Sequence, residues 1–311
     1  MSTLPRLPSV SELIKIYGLT ARSQLSQNFI LDKNITDKIA RSAQMSASSP
    51  LVIEVGPGPG LLTRSILDTG AQNVVAVEKD RRFIPTLRQL SEASEGRLKV
   101  IQGDALRISH NEIIRTAGGE LNGSSPMHII GNLPFNVASP LLIQWLHMLA
   151  GRQGVFGKGT VWMTLMFQKE VGMRIGAKPS TQHRGRLSVM AQSLCSVKNV
   201  YDVPSKVFVP QPKVNAAVMQ LKPELKFPED ENLASAFLML EDVVRYFFNK
   251  RRKSMSHMLK RLYKANPAIE QLRDELESFL DPQARCEDLT TDQFCRVARL
   301  FHEHHITMPV P

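Results

Sequence analysis

Cysteine is scarce in this chain. The three present among 311 residues, Cys195, Cys286 and Cys295, are an odd number, far apart, with no C-x-x-C spacing. That excludes a disulfide scaffold and a thiol-built zinc module, and fits reduced, buried thiols of a reducing compartment. Long apolar runs are also missing: no window approaches the roughly 18 unbroken apolar residues of a membrane span, and no lipid-seeking amphipathic helix stands out. Acidic residues are too few to balance the basic ones, 29 against 39, which leaves a formal charge of +10. An acidic partner follows, nucleic acid ahead of a membrane surface. Hydrophobic residues at 42% and charged residues at 22% are those of an ordinary globular chain, and the length suits two domains.

Two absences sharpen the main motif. Leu51-Val52-Ile53-Glu54-Val55 reads as a buried strand, Gly56-Pro57-Gly58-Pro59-Gly60 as a tight turn, and Leu61-Leu62-Thr63 as the opening of a helix. Glycines there let the backbone approach a ligand, and the helix start offers unpaired N–H groups. A dinucleotide fingerprint would need its third glycine where Leu61 stands, and a P-loop would need Gly-Lys-Ser/Thr where Gly60-Leu61-Leu62 stands. NAD and ATP are both disfavoured. An acid, Glu54, ahead of G-x-G-x-G suits a ligand with an amino-acid end and a nucleoside end, which is S-adenosylmethionine; the bland alternative is glycines that only turn a corner.

Further strands support the ligand reading. Asn73 to Val77 forms a second buried strand ending in Glu78, about 20 residues beyond the glycine turn, where a carboxylate accepts ribose hydroxyls. A third strand, Leu98 to Ile101, leads to Gly103-Asp104, and Asp104 is placed for an adenine amino group. The fourth, Met127 to Gly131, runs into Asn132-Leu133-Pro134-Phe135. The Asn132 side-chain oxygen and the Leu133 carbonyl can accept both hydrogens of an exocyclic amine, Pro134 fixes φ, and Phe135 offers a face to an unstacked base. In isolation the same tetrapeptide would be a capped strand end with a core phenylalanine.

The remainder is less specific. Met1 to Ser26 carries Arg6, Lys15 and Arg22 against the single acid Glu12, and reads either as a targeting presequence or as a folded helix packed on the domain. Arg184 and Arg186 lie in a polar loop suited to phosphate or to solvent. Cys195 to Val203 and Ala216 to Leu221 read as a pair of antiparallel strands. Between them Phe208, in a proline-stiffened loop, either closes the other face of a bound base or plugs the core. Beyond a hinge at Pro223 to Pro228 no strand pattern appears; a helix is expected over about Glu231 to Leu262 with a break inside it. From Asn249 to Lys264 there are seven cations, Lys250, Arg251, Arg252 and Lys253 among them, and no acid. Phosphate contact is the natural use. His302, His304 and His305 do not sit at a metal-binding spacing, so no metal is expected.

These residues together identify a resemblance. Gln27-Asn28-Phe29, Glu54 to Gly60, Glu78-Lys79-Asp80, Gly103-Asp104, Asn132 to Phe135, Leu187 to Gln192, Phe208 to Val214 and Arg251-Arg252-Lys253 resemble the ribosomal RNA adenine dimethyltransferases over nearly the whole chain, most closely the mitochondrial branch of that family. The resemblance implies a seven-stranded Rossmann-like α/β methyltransferase domain over residues 27–225, a small all-helical RNA-binding domain over 226–311, and a basic or targeting segment over 1–26. It implies S-adenosylmethionine as cofactor, a monomer in the mitochondrial matrix, and dimethylation at N6 of two adjacent adenosines in a hairpin loop near the 3′ end of small-subunit rRNA, free or in an assembling subunit. The cofactor set expected is Gln27, Asn28, Ile30, Glu54, Gly56, Gly58, Gly60, Glu78, Lys79, Asp104, Ala105 and Asn132. The catalytic set is Asn132, Leu133, Pro134, Phe135 and Phe208, and the RNA set Arg184, Arg186, Lys250, Arg251, Arg252 and Lys253. The chain departs from the usual pattern at Ile30 for leucine, Phe135 for the tyrosine of bacterial relatives, and Asn215 for aspartate.

Two other readings compete. A DNA adenine methyltransferase uses a similar Asn/Asp-Pro-Pro-aromatic device, but Leu133 takes its first proline position. A non-enzymatic nucleic-acid binder or transcription accessory protein on the same fold would be expected to carry a degraded pocket, yet Gly56, Glu78, Asp104 and Asn132 are all present.

Overall fold

The computed structural model describes residues 8–16, 18, 28–119, 121, 124–227 and 232–309. It divides into two compact units. The first holds Met1–Met148, Arg152–Gly172 and Lys198–Lys222, and the second Leu149–Gly151, Met173–Val197 and Pro223–Pro311.

The first unit is built on strands β1 (Phe29–Ile30), β2 (Val52–Val55), β3 (Val74–Glu78), β4 (Leu98–Gln102), β5 (Met127–Asn132), β6 (Val161–Gln168), β7 (Cys195–Val203), β8 (Phe208–Val209) and β9 (Ala216–Pro223). Seven of them form one sheet in the order β4-β3-β2-β5-β6-β9-β7. β2 runs parallel to both β3 and β5, β3 to β4 and β5 to β6, while β9 returns antiparallel to β6. β2 and β3 are buried along their entire length, which is why they read as continuous apolar runs rather than alternating ones. The chain proceeds outward from β2 through β3 and β4, then restarts on the other side at β5. The carboxyl ends of β2 and β5 therefore flank the switch point where open α/β sheets hold ligands.

The strand that the sequence pairs with Ala216 to Leu221 is its sheet neighbour, β7, but the antiparallel register on β9's other side belongs to β6. A separate two-stranded ribbon, not anticipated, joins β1 to β8, with Phe29 opposite Val209 and Ile30 opposite Phe208. The N-terminal helix Val10–Ile16 buries Val10 and Leu13, and Ile14 packs against the Phe29, Phe83 and Leu87 cluster. This part of the expected targeting segment is a packed helix, and most of the rest of that segment lies outside the described residues.

In the second unit the helix Arg186–Leu194 joins helices Leu233–Asn249, Met255–Ala265, Pro267–Glu270, Arg273–Phe279 and Thr291–Glu303. Phe237, Phe247, Phe294 and Phe301 are fully buried. The break expected inside the long helix falls over Lys250 to Ser254. Ser254 then caps the next helix through its side chain, so four of the seven cations sit in a connection instead of along a helix face.

Candidate active site

Four adjacent strands deliver the site. β2 ends at Val55 before the glycine loop, β3 ends at Glu78, β4 leads through Gly103 to Asp104, and β5 ends at Asn132. Gly56, Gly58 and Gly60 all take positive φ, at 68°, 54° and 87°, a conformation that side chains resist. At Gly58 a Cβ would meet the Phe29 ring at 3.3 Å, so a side chain there would press on Phe29 as well as strain the backbone.

Two hollows open at these strand ends and share the wall formed by Gly56, Glu78 and Pro134. The first is lined also by Asn28, Ile30, Gly58, Asn132, Leu133 and Phe135. The second is lined also by Lys79, Gly103, Asp104 and Ala105. Most of the expected cofactor set and four of the five expected catalytic residues thus meet in one place.

Glu78 stands between the hollows. Its carboxylate accepts from the Gly58 N–H at 2.9 Å and the Asp80 N–H at 2.7 Å. Burial raises its pKa, and these two amides oppose the rise. Asp104 accepts from Lys79 Nζ at 2.9 Å and from the Leu106 N–H at 3.1 Å. Burial would raise its carboxyl, but Lys79 and the Leu106 amide outweigh burial and hold it below the ordinary range. An ionised carboxylate has about four acceptor sites, so Asp104 keeps capacity for an amino group.

Asn132 donates its side-chain Nδ2 hydrogen to the Asn28 carbonyl at 2.8 Å, which leaves Oδ1 as the acceptor. Leu133 is buried at 1% exposure and lines the first hollow. Phe135 opens the helix Phe135–Ala150 and packs half-buried against the core. Gly131, one residue before Asn132, carries no motif signal, yet a Cβ there would lie 2.5 Å from the Val55 carbonyl oxygen. The close approach of β5 to β2 behind the hollow depends on it.

Several expected roles change. Phe208 is 2% exposed and belongs to the core cluster with Ile30, Ile39 and Ile66; its ring is core packing, not a base-stacking face. Gly60 lines neither hollow, and its missing side chain makes room for Leu87 and Leu90. Glu54 also lines neither, being wholly buried in β2. Thr63 lies close by but not in hydrogen-bonding geometry, and neither Glu54 oxygen has a partner. Burial pushes its carboxyl up to about 8; Thr63 opposes the rise and Glu78 adds to it. Gln27 lies outside the described residues. Thr36, Asn136, Val137 and Leu141 line the hollows unannounced, because they come from helix faces with no motif to mark them.

In the second unit Arg184 is fully buried. Its guanidinium donates to the Ala177 carbonyl, Gln192, the Leu289 carbonyl and Thr291, which removes it from the surface where RNA phosphates could be met. Arg251 is tied to Glu287 and to the carbonyls of Thr181 and Gln182. Arg186 stands 3.8 Å from Glu241. Arg252 and Lys253 are exposed and Lys250 half-buried.

The donor set of the two hollows can be tested against S-adenosylmethionine. Glu78, held by two amides at the wall between the hollows, suits a ribose diol. Asp104 suits an adenine amino group, and the side-chain-free approach at Gly56 and Gly58 suits close contact with the donor's amino-acid end. The residues present fit that molecule.

The profile of the family described as ribosomal RNA adenine dimethylase matches residues 18–303. A relative from Xenopus tropicalis, dimethyladenosine transferase 1, mitochondrial, is 41% identical over 96% of this chain and 86% of its own length. The Homo sapiens protein of that name is 40% identical over 94% of this chain and 84% of its own. Among solved structures, a dimethyladenosine transferase from Plasmodium falciparum superposes with a TM-score of 0.70 at 24% identity, covering 90% of this chain and 99% of that one. The 23S rRNA methyltransferase ErmE superposes with a TM-score of 0.61 at 23% identity, over 87% and 98%; these two likenesses speak to the fold. By the extent of the family match and of the identity to its relatives, the chain belongs to the ribosomal RNA adenine dimethylase family.

Proposed function

We propose that this chain is an S-adenosylmethionine-dependent rRNA adenine-N6 dimethyltransferase of mitochondria, acting on two adjacent adenosines in a 3′-terminal hairpin loop of the small-subunit rRNA, as a monomer on the RNA or the assembling subunit. Family membership and the naming of its relatives support the reaction and the compartment. One observation carries the chemistry: the Asn132 to Phe135 wall lines the same hollow as Glu78 and the glycine loop.

When bound, S-adenosylmethionine supplies a methyl whose bond electrons return to sulfur as the N6 lone pair forms the new N–C bond. The protein's task is to place and orient the amine. Asn132 Oδ1 and the Leu133 carbonyl accept the two N6 hydrogens, which draws the nitrogen lone pair out of ring conjugation and toward the donor side. Phe135 stacks the base, replacing the neighbours it loses on leaving the RNA. Its face also tolerates a nearby positive charge without trapping it. No strong base is required, because the alkylated amine is acidic and gives its proton to water. After the first transfer only one N–H remains, so a single acceptor orients the second.

The test is transfer of labelled methyl to a small-subunit rRNA hairpin, followed by digestion to nucleosides. N6,N6-dimethyladenosine is the expected product, and duplex DNA the control substrate. Asn132→Ala should lower turnover by 100-fold or more, on the order of 3 kcal/mol, with folding and RNA affinity retained. An equally active variant would refute the role given to Asn132.

A further inference from the structure

We propose that the main-chain carbonyl of Asn28 sets the polarity of the target-base wall, by holding the Asn132 amide so that its oxygen alone faces the base. This rests on the functional reading above and adds a positioning group to it.

The contact joins residues 104 apart in sequence, with Asn132 Nδ2 donating to Asn28 O at 2.8 Å. A carbonyl oxygen only accepts. Turning the amide over would set two acceptors face to face, so one end of the Asn132 side chain is fixed as the donor end and the other is left as an acceptor. The neighbouring Leu133 carbonyl is also an acceptor. The wall therefore suits an exocyclic amine, which donates, and repels the exocyclic carbonyl of a guanine or hypoxanthine.

The Asn28 carbonyl is itself held in place. The next two residues, Phe29 and Ile30, pair with Val209 and Phe208 in the β1–β8 ribbon. The Phe29 ring meets Phe83 edge-on at 5.3 Å, and Ile30 and Phe208 share one core cluster. Phe208 acts on the chemistry through this ribbon, as a positioning residue two steps removed from the base. The same geometry explains why asparagine stands at 132 in place of aspartate: an ionised aspartate would turn an oxygen to Asn28 O whichever way it rotated. Only a protonated aspartate, with its O–H toward Asn28 O, would restore the wild-type arrangement.

Asn132→Asp is nearly isosteric and tests this by pH. Its methyl transfer should be at least about 100-fold below wild type at pH 8, and should recover about tenfold per pH unit as pH is lowered, the signature of one required proton. Asn132→Ala, which presents nothing to Asn28 O, should follow the wild-type profile at a lower level. A second readout needs neither RNA nor donor. Facing a carbonyl raises the folded-state carboxyl pKa, so stability is lost as pH rises through it, and the melting temperature of Asn132→Asp should fall below wild type progressively from pH 5 to 8. A melting difference independent of pH, or an Asn132→Asp activity that is flat with pH, would overturn the proposal. If the wild type methylates no RNA, the functional reading fails, and the melting series still decides the Asn28 contact.

Discussion

Glu54 offers a quantitative test of how the glycine loop is built. Its carboxyl is wholly buried without a hydrogen-bond partner, and burial holds it protonated up to about pH 8, against an ordinary value of 4.5. The unfolded chain releases that proton above pH 4.5, so between the two values every pH unit favours the unfolded state by about 1.4 kcal/mol. At pH 7 the accumulated cost is about 3 kcal/mol. Glu54→Gln does not titrate and escapes this cost. It brings two amide hydrogens to a site where the acid's oxygens had no partner, which costs about 1–3 kcal/mol at every pH. The expected outcome is a crossing: the variant is equal to or less stable than wild type at pH 5, and more stable by pH 8. Urea melts of both proteins at pH 5, 6, 7 and 8 give the difference directly. A difference that stays within about 0.5 kcal/mol across the series would refute a buried neutral carboxyl, since the titration alone should move it several times that far.

Gly131→Ala sets a Cβ 2.5 Å from the Val55 carbonyl oxygen at the carboxyl ends of β5 and β2, where a backbone must shift to make room; a loss of about 1–3 kcal/mol is expected in denaturant melts, with activity reduced alongside. His128 is 1% exposed, edge-on to Trp162, with neither ring nitrogen partnered. Burial, aided by the Lys222 charge, lowers its pKa to about 4 from 6.5, so wild-type stability should be lost as pH falls from 6.5 to 4, and His128→Met should lose less over that window in parallel melts. Replacing Lys250, Arg252 and Lys253 together by alanine should weaken RNA binding and flatten the log–log salt dependence by about 0.7–0.9 per phosphate contact removed, measured by filter binding from low to moderate salt. An unchanged slope would take this connection off the RNA. Arg251→Ala should instead lower the melting temperature, because its partners are Glu287, Thr181 and Gln182 of the protein itself.

Much of the site was legible because its signals are local. Strand, glycine turn and helix follow one another within residues 51–63, and the spacing that disfavours NAD and ATP is a matter of single positions in that run. Glu78 and Asn132 end their strands and Asp104 lies just beyond one, and a parallel sheet brings such strand ends to one edge whatever the side chains elsewhere. Phe208 and Arg184 misled for the opposite reason. Aromatic and basic residues in polar, proline-rich loops look exposed when only their neighbours in sequence are considered. Burial is decided by elements far away, β1 for Phe208 and the segment at Leu289 and Thr291 for Arg184.

The sequence by itself determined the α/β class of the first unit, the helical character of the second, the kind of ligand and the three strand-end residues, Glu78, Asp104 and Asn132, that line the hollows, because short-range periodicity and turn chemistry carry that information. Tertiary structure alone decided which acids touch the hollow and which sit beneath it, which glycines line the hollow and which serves packing, and which way the Asn132 amide faces. Those outcomes depend on contacts between residues as many as 104 positions apart, and no local pattern in the chain encodes a distance of that kind.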